Sequence, residues 1–285
     1  MKNFLIITND NKDPNHDLTD KIKKYIERKN GKAHIAAKAM DGNGGSIIPE
    51  DMEFDCVLVL GGDGTMLRAA RDIMKRGIPM LGINLGTRGF LADVEKDSFE
   101  PAIDALFEGI YFIQKRMTVK GCIETSDGKK IELPPALNDI TVTRQGSLHV
   151  MHVELYVNGQ FLCNLGVDGI LAATPTGSTG YNLSAGGPIV HPGANMIVIT
   201  PICAHTLNAR SIVVGPDETI EFVIAANRDG EHTNAEASSD GNKPCIMKTG
   251  DKIKIVRSED TVSLIKLDQR SFLQTLNYKM GSSML

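Results

Sequence analysis

The run Cys56-Val57-Leu58-Val59-Leu60-Gly61-Gly62-Asp63-Gly64-Thr65 constrains this chain more than any other segment. An unbroken apolar stretch of that length reads as a strand buried on both faces, the kind found in parallel sheets covered by helices. It empties into glycines, and a helical pattern resumes over Met66–Lys75. Open α/β sheets bind ligands beyond the carboxyl ends of their strands. Glycines there let backbone N–H groups approach a phosphate, and a helix N-terminus adds a favourable dipole. Gly61, Gly62, Gly64 and Thr65 are therefore candidate phosphate-binding positions. An aspartate is ordinarily ionised at neutral pH, so Asp63 is a candidate acceptor for a hydroxyl proton. The alternative is a tight strand–helix turn with an aspartate near the N-cap. Arg68, one helical turn on, either reaches a phosphate or is a surface arginine. No G-K-[ST] follows, so the turn is not a Walker A loop, and it is not G-x-G-x-x-G either.

Strand and helix signals alternate on both sides of this turn. Phe4–Thr8, His34–Ala37, Asp55–Leu60 and Ile78–Ile83 read as strands, and Asp17–Arg28 and Phe99–Phe107 as helices. That rhythm predicts a parallel, doubly wound α/β domain over residues 1–112. From Tyr111 the signals become mostly strands, among them Ile140–Thr143, His152–Val157, Phe161–Leu165, Met196–Ile199, Ile212–Val214, Thr219–Ala225, Lys252–Val256 and Val262–Leu267. Turn pairs such as Asn158-Gly159 separate them. Residues 113–267 are thus expected to form an all-β, sandwich-like domain. A terminal helix, Ser271–Lys279, is expected to return to the first domain, which residues 268–285 would complete. The polar, glycine-rich stretch Asn227–Lys243 reads as a loop.

A second block, Asp168–Pro188, packs glycines and hydroxyls directly after an apolar strand. Hydroxyls and exposed N–H groups suit a sugar or a base edge, and Tyr181 offers a face for stacking. Asn138-Asp139 follows Pro134-Pro135-Ala136-Leu137 where a strand begins. Asn can read an adenine edge and Asp can accept from ribose hydroxyls, but Asn-Asp is also a common turn dipeptide.

The net charge of −4 advertises no basic surface, so neither nucleic acid nor anionic lipid is an expected partner. Five scattered cysteines, with no C-x-x-C pair, make a disulfide framework or a structural zinc site a poor reading. Met1–Ile7 reads as a first strand, not a leader, and no stretch approaches the roughly 20 apolar residues of a membrane span. These features carry the expectation of a cytoplasmic, reducing environment.

Taken together, the motifs resemble the NAD kinase family over most of the chain. The resemblance rests on Gly61-Gly62-Asp63-Gly64-Thr65, Asn84–Leu91, Ala136–Asp139, the Asp168–Pro188 block, His205–Arg210 and Asp240-Gly241. The first motif is shared with lipid kinases and phosphofructokinases, whereas the Thr174–Gly187 block is more specific. The resemblance implies transfer of the terminal phosphate of ATP, or of another donor such as polyphosphate, to the 2′-hydroxyl of the adenosine ribose of NAD, giving NADP. It implies NAD in a cleft between the domains and a divalent ion such as Mg²⁺ carried with the donor, with no metal ligand identified in the chain. A homodimer or homotetramer is implied as well.

By motif position, Asp63 would be the general base, with Gly64 and Arg68 near NAD. Asn138 and Asp139 would hold the adenosine half, and Asp168 would lie near the nicotinamide carboxamide. Thr179, Gly180, Tyr181, Asn182, Leu183 and Ser184 would line the pocket, with Tyr181 against a base. His149, Thr176 and Asn242 would add contacts. The chain departs from the family at Asp139, usually Glu; at Gly180, usually Ala; at Gly166, where some members carry Arg; and at Arg88, usually apolar. Two other readings share features with this one. A lipid or sugar kinase would use the same glycine turn, and a sensor would bind NAD(H) or NADP(H) without turnover.

Overall fold

The computed structural model describes residues 1–38, 45–86, 89–146, 150–226, 233–267 and 272–282. The chain divides into two compact units, Met1–Arg116 with Val262–Leu285, and Met117–Thr261.

In the first unit, strands Lys32–Ile35, Asn3–Thr8, Cys56–Gly61 and Met80–Asn84 lie side by side in that order, all parallel. Leu264, near the end of strand Lys252–Lys266, pairs with Met80 and extends the sheet. Every residue of Cys56–Gly61 and Met80–Asn84 is buried, as continuous apolar runs require. Ile22 and Ile26 of helix Asp17–Arg28, and Ala102, Ile103 and Leu106 of helix Phe99–Glu108, pack with Phe4, Ile6, Leu58 and Leu60. Helix Asp63–Ile73 buries Met66, Ala69, Ala70 and Ile73. From Asn3–Thr8 the chain winds to Lys32–Ile35 on one side, yet Cys56–Gly61 flanks it on the other. The winding therefore reverses between Asn3–Thr8 and Cys56–Gly61, where such sheets leave a crevice at the strands' carboxyl ends. The last helix, Phe272–Ser282, belongs to this unit, and Phe272 meets Phe90 with ring centroids 6.5 Å apart.

The second unit contains a six-stranded antiparallel sheet. Its order is Ile212–Val214, Ile197–Ile202, Gly169–Ala173, Asp139–Arg144, Asn234–Ser239 and Cys245–Lys248. A second antiparallel set joins Gln160–Val167, Met151–Val157, Ile220–Ala225 and the start of Lys252–Lys266. One core takes Ile140, Val142, Ile170, Ile199 and Ala237 from the first set, and Val153, Leu155, Val167, Phe222 and Ile253 from the second. Two sheets contributing alternate residues to one core make a sandwich.

Several local expectations change. Asn234–Ser239 is a strand, not part of a loop, because Ala235, Ala237 and Ser239 alternate inward and are buried. Residues 227–232 of that stretch lie outside the described residues. The segments Lys252–Val256 and Val262–Leu267 merge into one strand, Lys252–Lys266, that runs through the polar Arg257–Asp260. Gly169–Ala173, the start of the second glycine-rich block, is a fully buried strand. A long strand, Phe112–Glu124, stands where no individual strand is predicted.

Candidate active site

In the first unit, the turn after Cys56–Gly61 is tighter than expected. Gly62 is extended (φ −121°, ψ −169°) and serves as N-cap, so the helix begins at Asp63 and not at Met66. The first helical bonds run from the N–H of Thr65 and Met66 to the Gly62 carbonyl, at 2.9 and 3.0 Å. Asp63 and Gly64 thus precede the first bonded N–H, at the helix end where N–H groups have no intrahelical acceptor and the dipole is positive, with Thr65 in the same turn. Thr65 is buried, and its Oγ1 accepts a hydrogen bond from Asn9 Nδ2 at 3.1 Å.

Asp63 is half-buried and is not bare. Its Oδ2 accepts from the Phe90 N–H at 2.8 Å, and its Oδ1 from the Leu91 N–H at 3.0 Å. A Cβ on Gly89 would lie 1.8 Å from Asp63 Oδ1, so only glycine permits this approach. A carboxylate has about four acceptor positions. With two taken by backbone, the orientation is set and capacity remains for a hydroxyl. Arg68 is exposed, with a guanidinium nitrogen 4.0 Å from where a Cβ on Gly64 would stand. Thr87 and Arg88 lie outside the described residues.

In the second unit, the Asn138-Asp139 segment is clamped from below. Asp240 accepts hydrogen bonds from the N–H groups of Leu137, Asn138 and Asp139 at 2.7, 2.8 and 3.1 Å. The sequence offered Asp240-Gly241 as a motif but no role for its carboxylate, since its partners lie about a hundred positions away. Asp240 holds a left-handed conformation, φ 49°. The other side is closed by Gly177, whose Cβ would lie 2.1 Å from the Asn138 carbonyl oxygen. Gly180 comes close as well, since a Cβ there would stand 3.2 Å from Asn138 Nδ2. The Ala usual in the resembled family would crowd that amide here, so Gly180 gives Asn138 more room.

Asp139 is buried, and burial first, then the neighbouring Asp240 charge, pushes its carboxyl up to about 7. Near neutrality it can therefore both donate and accept. The sign for stability follows. Below about pH 4 the group is protonated folded and unfolded alike, and no cost arises. Between about 4 and 7 the unfolded chain ionises while the folded one keeps its proton, so stability falls as pH rises, and the loss is complete above about 7. At about 1.4 kcal/mol per pH unit, the full effect is of order 4 kcal/mol. Asp139→Asn should remove it. In urea titrations the variant should gain on the wild type from about pH 4 to about pH 7 and then hold that gain, and parallel stability curves across that window would refute the assignment.

Asp168 Oδ1 accepts from Arg144 Nε at 3.0 Å, with His205 Nε2 at 3.6 Å. Tyr181 and Leu183 are exposed, Ser184 is exposed, and Thr179 and Gly180 are half-buried. Burial raises the Tyr181 hydroxyl, with further contributions from Cys203, Asp139 and Asp168, so Tyr181 shares one electrostatic neighbourhood with both carboxylates. Thr176 is buried, and its carbonyl accepts from Thr179 Oγ1 at 3.3 Å. Asn242 closes the Ser239 turn, donating from Nδ2 to the Ser239 carbonyl at 2.7 Å. Asn182 points inward. Its amide donates to the Ser178 and Pro188 carbonyls at 3.1 and 3.0 Å and accepts from Thr200 Oγ1 at 2.7 Å, so its part is to shape the loop. His149 lies outside the described residues. Among them, no group of three or more His, Cys, Asp or Glu could hold a metal ion. No helix among them is long and apolar enough to cross a membrane.

The family model for the ATP-NAD kinase N-terminal domain matches residues 46–111, and that for the ATP-NAD kinase C-terminal domain matches residues 137–267. An NAD kinase of Agathobacter rectalis is 42% identical over 289 aligned positions, covering 99% of both chains. An NAD kinase of Lachnoclostridium phytofermentans is 39% identical with the same coverage. Among solved structures, yeast NADH kinase complexed with NADH aligns with TM-score 0.84 at 22% identity, covering 98% of this chain and 88% of that one. An NAD kinase from Archaeoglobus fulgidus in complex with ATP aligns with TM-score 0.78 at 26% identity, covering 98% and 99%.

Proposed function

This chain belongs to the NAD kinase family and phosphorylates the 2′-hydroxyl of the adenosine ribose of NAD, and on that premise we propose that Asp63 receives the hydroxyl proton. The observation that carries this role is the pair of backbone N–H groups, from Phe90 and Leu91, that orients the carboxylate while leaving it acceptor capacity. As the 2′-oxygen bonds to the transferred phosphorus, its proton passes to Asp63 and the bond to the leaving phosphate oxygen breaks. Phosphoryl transfer asks chiefly for position and charge neutralisation. The N–H groups of the Gly61–Thr65 turn supply both, with Arg68 as an added cation. The donor we favour is ATP, as in the Archaeoglobus complex, ahead of polyphosphate. A divalent ion such as Mg²⁺, arriving with the triphosphate, would spread its charge.

The second unit would hold the acceptor. Asn138 and Asp139 would take the adenosine, with Asp139 offering either a proton or a lone pair near neutral pH. Asp168, held by Arg144, would meet the carboxamide. Thr176, Thr179, Gly180, Tyr181, Leu183 and Ser184 would form the wall, with Tyr181 as the stacking face. His149 and Asn242 keep the contacts implied by motif position. Five free cysteines support a reducing cytoplasm. A homodimer or homotetramer is supported by Phe161 and Leu162, which are 58% and 48% exposed on the outermost strand of their sheet. Light scattering on the eluted protein, giving a monomer mass, would discard that assembly.

The deciding assay mixes purified protein with NAD, ATP and Mg²⁺ and follows NADP with an NADP-specific dehydrogenase. Steady NADP formation is expected, and binding of NAD without turnover would return the sensor reading. Replacing ATP by polyphosphate, and NAD by NADH, ranks the donors and acceptors.

A further inference from the structure

We propose that Lys12 binds the phosphates of the nucleotide donor, a role that rests on the reading of the Gly61–Thr65 turn given above. Lys12 lies in the loop that leaves strand Asn3–Thr8, on the side of the sheet where the winding reverses. Its ammonium reaches across two neighbouring strand ends. Nζ stands 2.7 Å from where a Cβ on Gly86 would be, and 3.6 Å from where one on Gly62 would be. Gly62 is the N-cap of the Asp63 helix, and Gly86 follows strand Met80–Asn84. A side chain at Gly86 would displace the ammonium, so the missing Cβ makes its place.

The loop beneath is tied down. The Asn9 carbonyl accepts from the N–H of Lys12 and Asp13 at 2.9 and 3.0 Å, and the Asn9 N–H donates to the Leu60 carbonyl at 2.9 Å. Asn9 Nδ2 reaches Thr65 Oγ1 at 3.1 Å, joining this loop to the first turn of the helix. Asp13 is buried and receives the N–H groups of Leu18 and Thr19 at 3.2 and 3.0 Å. The backbone is thus anchored while the Lys12 side chain stays exposed. Among the described residues, no carboxylate pairs with Lys12, whereas Lys23, Lys29, Lys38, Lys252 and Lys266 each have one. An unpaired ammonium beside the positive end of a helix is unfavourable until an anion enters. The crevice at a winding reversal is where open α/β sheets take their ligands. A donor triphosphate, whose charge grows at the leaving oxygens during transfer, fits that field better than an acceptor with a diphosphate.

The test compares Lys12→Ala, Lys12→Gln and Lys12→Arg with the wild type. Loss of a charge-assisted contact should raise KM for ATP about 10- to 100-fold in the Ala and Gln variants, while KM for NAD stays within about twofold. Calorimetry with ATP and Mg²⁺, without NAD, should show the same loss in Kd, and Arg should restore most of it. Unchanged ATP Kd in the Ala and Gln variants, or a rise confined to KM for NAD, overturns the assignment. Because the calorimetry needs no turnover, it judges Lys12 even if NADP formation fails. An Asp63→Asn protein that still binds ATP, beside Lys12 variants that also bind it normally, would overturn Lys12 alone.

Discussion

Asp63→Asn lowers kcat about 10²- to 10⁴-fold and leaves KM for NAD near the wild-type value, the range expected when a general base is lost. The substitution is close to isosteric but removes the proton acceptor. It also places an NH₂ where one carboxylate oxygen now meets either the Phe90 or the Leu91 N–H, donor against donor. The remaining oxygen keeps one contact, so the fold survives and the loss falls on chemistry. Asp63→Glu should do no better, because the extra methylene cannot be taken up where Gly89 already approaches so closely. The readout is steady-state NADP formation at saturating ATP. An Asp63→Asn enzyme within about fivefold of the wild-type kcat would remove Asp63 from the role, since the loss expected of a general base is at least tenfold larger.

Asp240→Ala should cost about 3–6 kcal/mol of folding stability, since leaving each of three N–H groups without its acceptor costs roughly 1–3 kcal/mol, with water recovering part. Against a total of roughly 5–15 kcal/mol that is a severe loss. One effect opposes it. Removing the Asp240 charge relieves Asp139, but burial is the larger cause of the raised Asp139 carboxyl, so the relief is the smaller quantity. The same change frees the backbone carrying Asn138 and Asp139, and KM for NAD should rise by more than about tenfold as positioning is lost. Asp240→Asn, which keeps an accepting oxygen, should fall between. A variant with wild-type urea midpoint and wild-type KM for NAD would show that the three contacts carry little.

The sequence reveals most where chemistry and periodicity coincide. Cys56–Gly61 is legible because a strand buried on both faces needs an unbroken apolar run, and Gly61-Gly62 ends it. The helix start shifts from Met66 to Asp63 because Asp and Gly are poor helix formers in the interior yet acceptable in a first turn, where a negative charge meets the dipole. Asn234–Ser239 escapes notice because its inward side chains are Ala, Ala and Ser, too small to register as an apolar stripe. Phe112–Glu124 escapes because Gln114, Lys115, Arg116 and Lys120 mask its alternation, although Arg116 is buried. Site residues recur as motifs, but their supports do not. Nothing local to Asp240 points to Leu137, and nothing local to Lys12 points to Gly86. Such pairings are made by the topology of the sheets.

Strand Lys252–Lys266 has a further consequence. Its early residues pair with Ile220–Ala225, while Leu264 pairs with Met80. A ribosome that has released the first hundred residues has therefore not released a finished α/β unit, because the neighbour of Met80 is still to be made. Val94 and Glu95 already pair with Ile83 and Asn84, but until about residue 264 emerges the Met80 end of that strand presents an unclosed hydrogen-bonding flank, and nascent chains stalled short of that point are the ones most exposed to chaperone capture or to pairing with one another.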